Sequence, residues 1–247
     1  MNLVIDIGNT LAKTAIFNGN ELSSFSSFEN ISASVLEELL SKNPSVKNVI
    51  LSSVVEHSKA IADLLSKYYF VELTQHTKLP IKNLYGSPET LGKDRLASVV
   101  GANLLFNKQN VLAIDAGTCI KYDLVDAQGQ YLGGAISPGI EMRFKALNKF
   151  TDKLPLVTYK YFDQLIGQTT EQSILSGVMN GVTEEVKGVI ARYKEQYPGL
   201  KVVFTGGYLK FFERIFNISH TENSSIFADP FLVLKGLNHI LNFNEKK

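Results

Sequence analysis

The chain opens on a short apolar run, Leu3-Val4-Ile5, that ends at Asp6-Ile7-Gly8-Asn9-Thr10. A run of this length closed by a Gly turn predicts a strand entering a loop. Thr14 to Phe17 followed by Asn18-Gly19-Asn20 predicts a second strand and a hairpin turn. Apolar residues at helical spacing predict helices over residues 33–42, 57–68 and 95–106, with a strand at 46–51 between the first two. The last of these helices carries Leu96, Val99, Val100, Leu104 and Leu105 as its stripe.

The second half follows the same plan. Strands are predicted at 111–114, 120–125 and 131–136, with Gln128-Gly129 as a turn. A long helix is predicted from Thr169 to Tyr197, its inner face formed by Ile174, Val178, Val182, Val186 and Ile190. Thr169 and Gln172 stand at capping-box spacing, and Pro198-Gly199 ends the helix. A strand at 201–204 runs into Thr205-Gly206-Gly207, and a helix over 231–241 closes the chain. The octet at 3–10, LVIDIGNT, aligns with LAIDAGTC at 112–119. Each copy is an apolar strand entering Asp-x-Gly with a Thr nearby. Two copies in corresponding places predict a duplicated α/β architecture. The polar stretch at 107–110 is the expected boundary, giving domains 1–109 and 110–247.

Composition narrows the classes. The 247 residues are 45% hydrophobic and 20% charged, which excludes a disordered or collagen-like chain. The net charge of +1 argues against nucleic-acid binding driven by counterion release. The single cysteine, Cys119, excludes an intrachain disulfide and a Cys-based zinc site. It is expected to be a small buried residue; the only basic group adjoining it is Lys121. The first residues lack the features of a signal peptide, and no apolar stretch reaches membrane-spanning length, so a soluble cytoplasmic protein without membrane partners is expected.

The two Asp-x-Gly turns suit phosphates. Gly lets the backbone approach a ligand, successive N–H groups form an anion nest, and the Thr hydroxyl adds a donor. An Asp cannot hold phosphate directly, so it implies a bridging cation or water. Two such loops facing each other could hold a triphosphate, with Lys13 adding positive charge. Each Asp taken alone can equally satisfy local turn N–H groups. Other signatures fail. Gly86 to Asp94 has five residues rather than four between its glycines, and Asp94 stands where a P-loop needs Ser or Thr. There is no Gly-x-Gly-x-x-Gly fingerprint and no Gly-x-Ser-x-Gly elbow. His57, His76, His220 and His239 are scattered without metal spacing and read as surface or capping residues.

Asp6-Ile7-Gly8-Asn9-Thr10, Gly92-Lys93-Asp94-Arg95, Asp115-Ala116-Gly117-Thr118, Gly133 to Gly139 and Thr205-Gly206-Gly207 occur in an order that resembles type III pantothenate kinases. These belong to the superfamily of acetate and sugar kinases, heat-shock chaperones and actin. The similarity spans nearly the whole chain. It implies a duplicated actin-like, ribonuclease H-like two-domain fold, each half a mixed sheet flanked by helices. It also implies transfer of phosphate from ATP to pantothenate, giving 4′-phosphopantothenate, the first step of coenzyme A biosynthesis. A homodimer, magnesium carried with ATP, and a monovalent cation, potassium or ammonium, come with it.

The same resemblance assigns residues. Asp6, Ile7, Gly8, Asn9, Thr10, Leu11, Ala12 and Lys13 match the first ATP-phosphate loop, and Thr118 a further phosphate contact. Asp115 matches the monovalent-cation site. Asp94 matches the general base, or else caps the helix beginning near Arg95. Gly92, Lys93, Asp94 and Arg95 match the pantothenate loop, Lys93 at a variable position with no role of its own. Arg95 can pair with the substrate carboxylate in bidentate fashion; as a plain surface cation it would oppose the helix dipole. Tyr85 matches a substrate contact, or is ordinary packing. Thr170 matches a substrate-binding Thr, or is a helix cap. Gly206 and Gly207 would let adenine approach the backbone. Ser52-Ser53-Val54-Val55 resembles a family segment that continues with Pro, where this chain has Glu56. Two alternatives remain: a non-catalytic relative acting as an accessory regulator, and a kinase of this fold acting on a sugar hydroxyl.

Overall fold

The computed structural model describes residues 1–245 except 56–57, 217 and 219–224. His57, His220 and Glu56 therefore lie outside the described residues. In chain order the elements are β1 (Asn2–Ile7), β2 (Ala12–Asn18), β3 (Glu21–Phe28), α1 (Ala33–Lys42), β4 (Asn48–Ser53), α2 (Lys59–Leu65), β5 (Tyr69–Glu72), β6 (Lys82–Asn83) and α3 (Lys93–Leu105). There follow β7 (Val111–Ala116), β8 (Cys119–Val125), β9 (Gln130–Pro138), α4 (Ile140–Lys149), α5 (Thr170–Gln196), β10 (Lys201–Thr205), α6 (Leu209–Phe216), β11 (Ile226–Ala228) and α7 (Leu232–Glu245). No helix among the described residues is long and apolar enough to cross a membrane.

The chain divides into two compact units. The first comprises Met1–Lys108, Asp123–Gly133 and Phe231–Lys247; the second comprises Gln109–Tyr122 and Gly134–Pro230. In the first unit the sheet order is β3-β2-β1-β4-β5. β2 lies antiparallel to both β1 and β3, whereas β4 runs parallel to β1 and β5. β4 is buried along its whole length, as expected of a central strand covered on both faces. Leu3, Ile5 and Ile7, at alternate positions of β1, join Val49 and Leu51 in a core closed by Leu36 and Leu40 of α1 and Ile61, Leu64 and Leu65 of α2. The second sheet has six strands in the order β6-β9-β8-β7-β10-β11. Apart from β6, which pairs parallel to β9, the two orders are the same element for element. β1 and β7, the strands of the repeated octets, also share one burial pattern, four buried positions, a half-buried Asp, then a buried residue.

This grouping is not a single cut at residue 109: Asp123–Gly133 and the segment from Phe231, which includes α7, both fall with the first unit. Asn2 Nδ2 donates to Asn238 Oδ1 at 2.8 Å and to Asn242 Oδ1 at 2.7 Å, and Asn48 Nδ2 donates to Asn2 Oδ1 at 3.0 Å. Asn238 Nδ2 donates to the carbonyl of Gly19 at 2.8 Å. Buried amides this well satisfied fix α7 over the starts of β1 and β4.

α7 also packs closely against α3. A Cβ on Gly101 would meet the Leu232 carbonyl, and one on Gly236 the Ala97 carbonyl. Neither obstacle is a side chain that could move. Gly236→Ala is expected to destabilise the first unit by about 3 kcal/mol, read as a lower urea midpoint. An unchanged midpoint would refute the close crossing.

Boundaries shift modestly from expectation. The helix expected over 57–68 is described as α2 from Lys59, and that expected over 95–106 begins at Lys93. Cys119 is half-buried rather than buried, on the strand face it shares with Lys121.

Candidate active site

The first expected phosphate loop is a short turn between β1 and β2. The Gly8 N–H donates to the Leu11 carbonyl at 3.1 Å, and a Cβ on Gly8 would lie 3.1 Å from that oxygen. Asn9, Thr10 and Leu11 are exposed. Ile7 and Ala12 point into the core, so they can offer a ligand only backbone. Asp6 is half-buried and paired in register with Lys13 on β2 and Ser52 on β4. Ser52 Oγ donates to Asp6 Oδ1 at 3.0 Å, which fixes the carboxylate at the strand end.

The Gly92 to Arg95 run starts α3. Gly92 is the N-cap and Lys93 the first helical residue. Asp94 thus lies inside the first turn and is not the cap. Its Oδ1 accepts the Arg95 N–H at 2.8 Å, and the side chain is half-exposed. A carboxylate here is favoured by the helix dipole. Lys93 Nζ lies 3.8 Å from Glu72 Oε1, a weak surface pair.

Arg95 is not a surface charge. It is buried, with Nε 3.1 Å and Nη2 2.6 Å from Asp123 Oδ1, and Nε 3.2 Å from Oδ2. The guanidinium edge expected for a substrate carboxylate is therefore taken by Asp123. Nη1 donates to Tyr85 Oη at 3.4 Å. Tyr131 Oη donates to Asp123 Oδ1 at 2.7 Å, and the Tyr85 and Tyr131 rings stack 5.9 Å apart. Tyr85 is thus packed into the Arg95 cluster while remaining half-exposed. Burial works against the charge on Arg95, but the hydrogen bonds and charge of Asp123 outweigh it and hold the guanidinium above its ordinary range. Burial, then the Asp123 charge and hydrogen bond, pushes the Tyr131 phenol up, so it remains a donor.

In the second unit, Gly117 and Thr118 form the turn between β7 and β8. Gly139 donates its N–H to the Thr118 carbonyl at 3.1 Å, and a Cβ on Gly139 would strike the carbonyls of Gly117 and Thr118. Gly206 has φ +96°, and a Cβ there would lie 2.5 Å from the Ala116 carbonyl and from Asp115 Oδ1. Both glycines of these motifs serve close approach to one turn. Asp115 Oδ2 accepts from Lys121 Nζ at 2.7 Å.

Thr169, not Thr170, caps α5: its side chain accepts the Gln172 N–H at 3.2 Å. Gln172 reaches back to the Gln168 N–H, one residue beyond the usual capping box. Thr170, the first helical residue, is exposed with no capping duty.

Motif reading missed two clusters. Asp123 and Tyr131 complete the Arg95 site. Their one sequence signal is a carboxylate in an otherwise apolar strand end. The other ties the Ser137-Pro138-Gly139 segment to α5. Arg143 Nη2 bonds Glu185 Oε2 at 2.5 Å and Ser137 Oγ at 2.9 Å, and Nε bonds the Pro138 carbonyl at 2.9 Å. Tyr122 Oη donates to Glu185 Oε1 at 2.9 Å. Burial raises Glu185, but hydrogen bonds from Arg143, Ser137 and Tyr122 win and keep its carboxyl below the usual range.

Two halves of one topology, each with an Asp-x-Gly turn at its first strand, define an actin-like kinase fold. Solved structures agree at the level of fold. The activator of the 2-hydroxyisocaproyl-CoA dehydratase from Clostridium difficile, with bound ADPNP, has a TM-score of 0.57 at 15% identity, covering 99% of this chain and 95% of that one. The inorganic polyphosphate/ATP-glucomannokinase from Arthrobacter sp. strain KM has a TM-score of 0.51 at 14% identity, each chain covered to 98%. The family model for type III pantothenate kinase matches residues 2–192. Curated relatives of that description are 48% identical in Phocaeicola vulgatus, over 100% of both chains, and 46% identical in Christiangramia forsetii, over 99% of both. The chain belongs to the type III pantothenate kinase family, whose enzymes use ATP with a divalent metal to phosphorylate pantothenate in coenzyme A biosynthesis.

Proposed function

We propose that this chain transfers the γ-phosphoryl group of ATP to the primary hydroxyl of pantothenate with Asp94 as general base. The observation that carries the residue assignment is the start of α3. There a half-exposed carboxylate, fixed by the Arg95 N–H, stands next to a guanidinium fixed by Asp123. Asp94 orients the hydroxyl and takes its proton as the phosphoryl group transfers. Arg95 Nη1 and Tyr85 Oη give the same locality polar atoms for the substrate. Gly92 brings the backbone close, and Lys93 contributes position only. The exposed hydroxyl of Thr170 is a further substrate contact.

In the first unit the 6–13 hairpin offers phosphates its backbone and Lys13; in the second, Thr118 offers a phosphate contact. Magnesium arrives on the nucleotide; among the described residues no three His, Cys, Asp or Glu side chains are arranged to hold a metal themselves. The protein works in the cytoplasm as a homodimer. Support for the dimer comes from the exposed apolar side chains of the second unit, including Phe150, Leu165 and Ile166. Sedimentation at the mass of a single chain would refute it.

The deciding assay is ADP release with ATP and magnesium, comparing pantothenate, a panel of sugars, and water. Pantothenate-dependent release is expected. Release with a sugar alone would replace the substrate. ATP binding without turnover on any acceptor would favour a non-catalytic, regulatory role.

A further inference from the structure

The monovalent cation implied at Asp115 does not fit the groups around that carboxylate. Asp115 Oδ2 is bonded to Lys121 Nζ at 2.7 Å, and both side chains are only 15% exposed. Asp115 Oδ1 lies against the Gly206 backbone, where a Cβ would come within 2.5 Å of it, so the carboxylate has little room to turn away. Lys121 extends from β8 on the half-buried face of the strand, between the buried Ile120 and Tyr122. A lysine is rarely kept so far from water unless it is paired. The turn that follows Asp115, Gly117 and Thr118, is read above as a phosphate contact, and this inference rests on that reading. A carboxylate next to phosphates repels them unless a cation stands with it. An ammonium group carries the same single charge as a potassium ion, and its three donors let it serve the carboxylate and still face a further anion.

We propose that Lys121 is the built-in monovalent cation of this protein. Its tethered ammonium neutralises Asp115 at the phosphate turn, so that nucleotide binding and turnover need no dissolved potassium or ammonium. Lys121 acts here as a positioning and charge-balancing residue.

The test measures binding of a magnesium-complexed, non-hydrolysable ATP analogue by calorimetry. The buffers hold equal ionic strength and contain either potassium or only tetramethylammonium, a cation too bulky to enter. Phosphorylation rates are measured in the same buffers. For the unaltered protein, Kd and kcat are expected to agree between buffers within about threefold. A larger gain from potassium overturns the proposal without any variant being needed. Lys121→Thr keeps a strand-forming residue and opens the ion's place. It is expected to lose about tenfold or more in nucleotide affinity in tetramethylammonium, and to recover it when potassium or ammonium is added. Unchanged affinity in tetramethylammonium overturns the idea. So does a loss that neither ion restores in protein that melts normally, since that would mark Lys121 as packing. The binding readout is separate from the acceptor. Potassium-independent nucleotide binding without pantothenate turnover would sink the proposed function and leave this inference standing. Failure to bind nucleotide at all would sink both.

Discussion

Asp94→Asn is expected to lower pantothenate phosphorylation by about 10²–10⁴-fold, the range for losing a positioned general base. The lower end is favoured, because phosphoryl transfer passes through a loose transition state in which the hydroxyl proton leaves late. The substitution suits this question. Asp94 Oδ1 accepts the Arg95 N–H at 2.8 Å, and an asparagine carbonyl oxygen can accept the same bond. That bond is therefore retained while the proton acceptor is lost. The cost should appear in kcat, with nucleotide affinity and melting temperature little changed. Activity within threefold of the unaltered protein would remove Asp94 from the chemistry. A fall in melting temperature alongside the lost rate would return it to a structural role at the helix start.

Parts of this architecture could be read directly from residue order, and the rest depends on contacts made far along the chain. The repeat of 3–10 at 112–119 was legible because each copy places a fully apolar strand before Asp-x-Gly, and the structure gives both strands one burial pattern. β3 was not legible. Its sequence, ELSSFSSF, is rich in Ser and mostly exposed, so neither β-branched enrichment nor alternation marks it. The membership of α7 in the first unit was hidden for another reason. It depends on amide bonds from Asn2 to Asn238 and Asn242, more than two hundred residues apart, and no local pattern encodes such a pair. The same contrast runs through the site. Gly92 to Arg95 is visible as a motif, and a cation in the first helical turn points to a bound carboxylate, which the sequence alone places on the substrate. Which partner Arg95 has is a tertiary fact: Asp123 lies 28 residues on and Tyr131 a further 8. Lys121 was visible beside Cys119, but its meaning required the position of Asp115.

The largest stability effect is expected at Asp123. Its carboxylate accepts from Arg95 Nε and Nη2 and from Tyr131 Oη, and it is 2% exposed. Asp123→Ala leaves a buried guanidinium without its counter-charge and a buried phenol without its acceptor. Such a change costs about 3–5 kcal/mol, which for a chain of this size lowers the melting temperature by roughly 10 °C. The loss measures an abandoned charge more than the worth of the pair, and a double variant separates the two. Arg95→Met with Asp123→Leu removes both charges and refills the volume, so it is expected to recover most of the stability lost in Asp123→Ala. It is not expected to recover pantothenate phosphorylation, because the Nη1 donor beside Tyr85 has gone with the arginine. Stability regained without activity would show that the ion pair is retained to aim Arg95, since an apolar core at that place would hold the fold as well. Recovery of both would make the pair structural and remove Arg95 from substrate binding. If Asp123→Ala itself melts within about 2 °C of the unaltered protein, the buried ion pair is not present in solution as described.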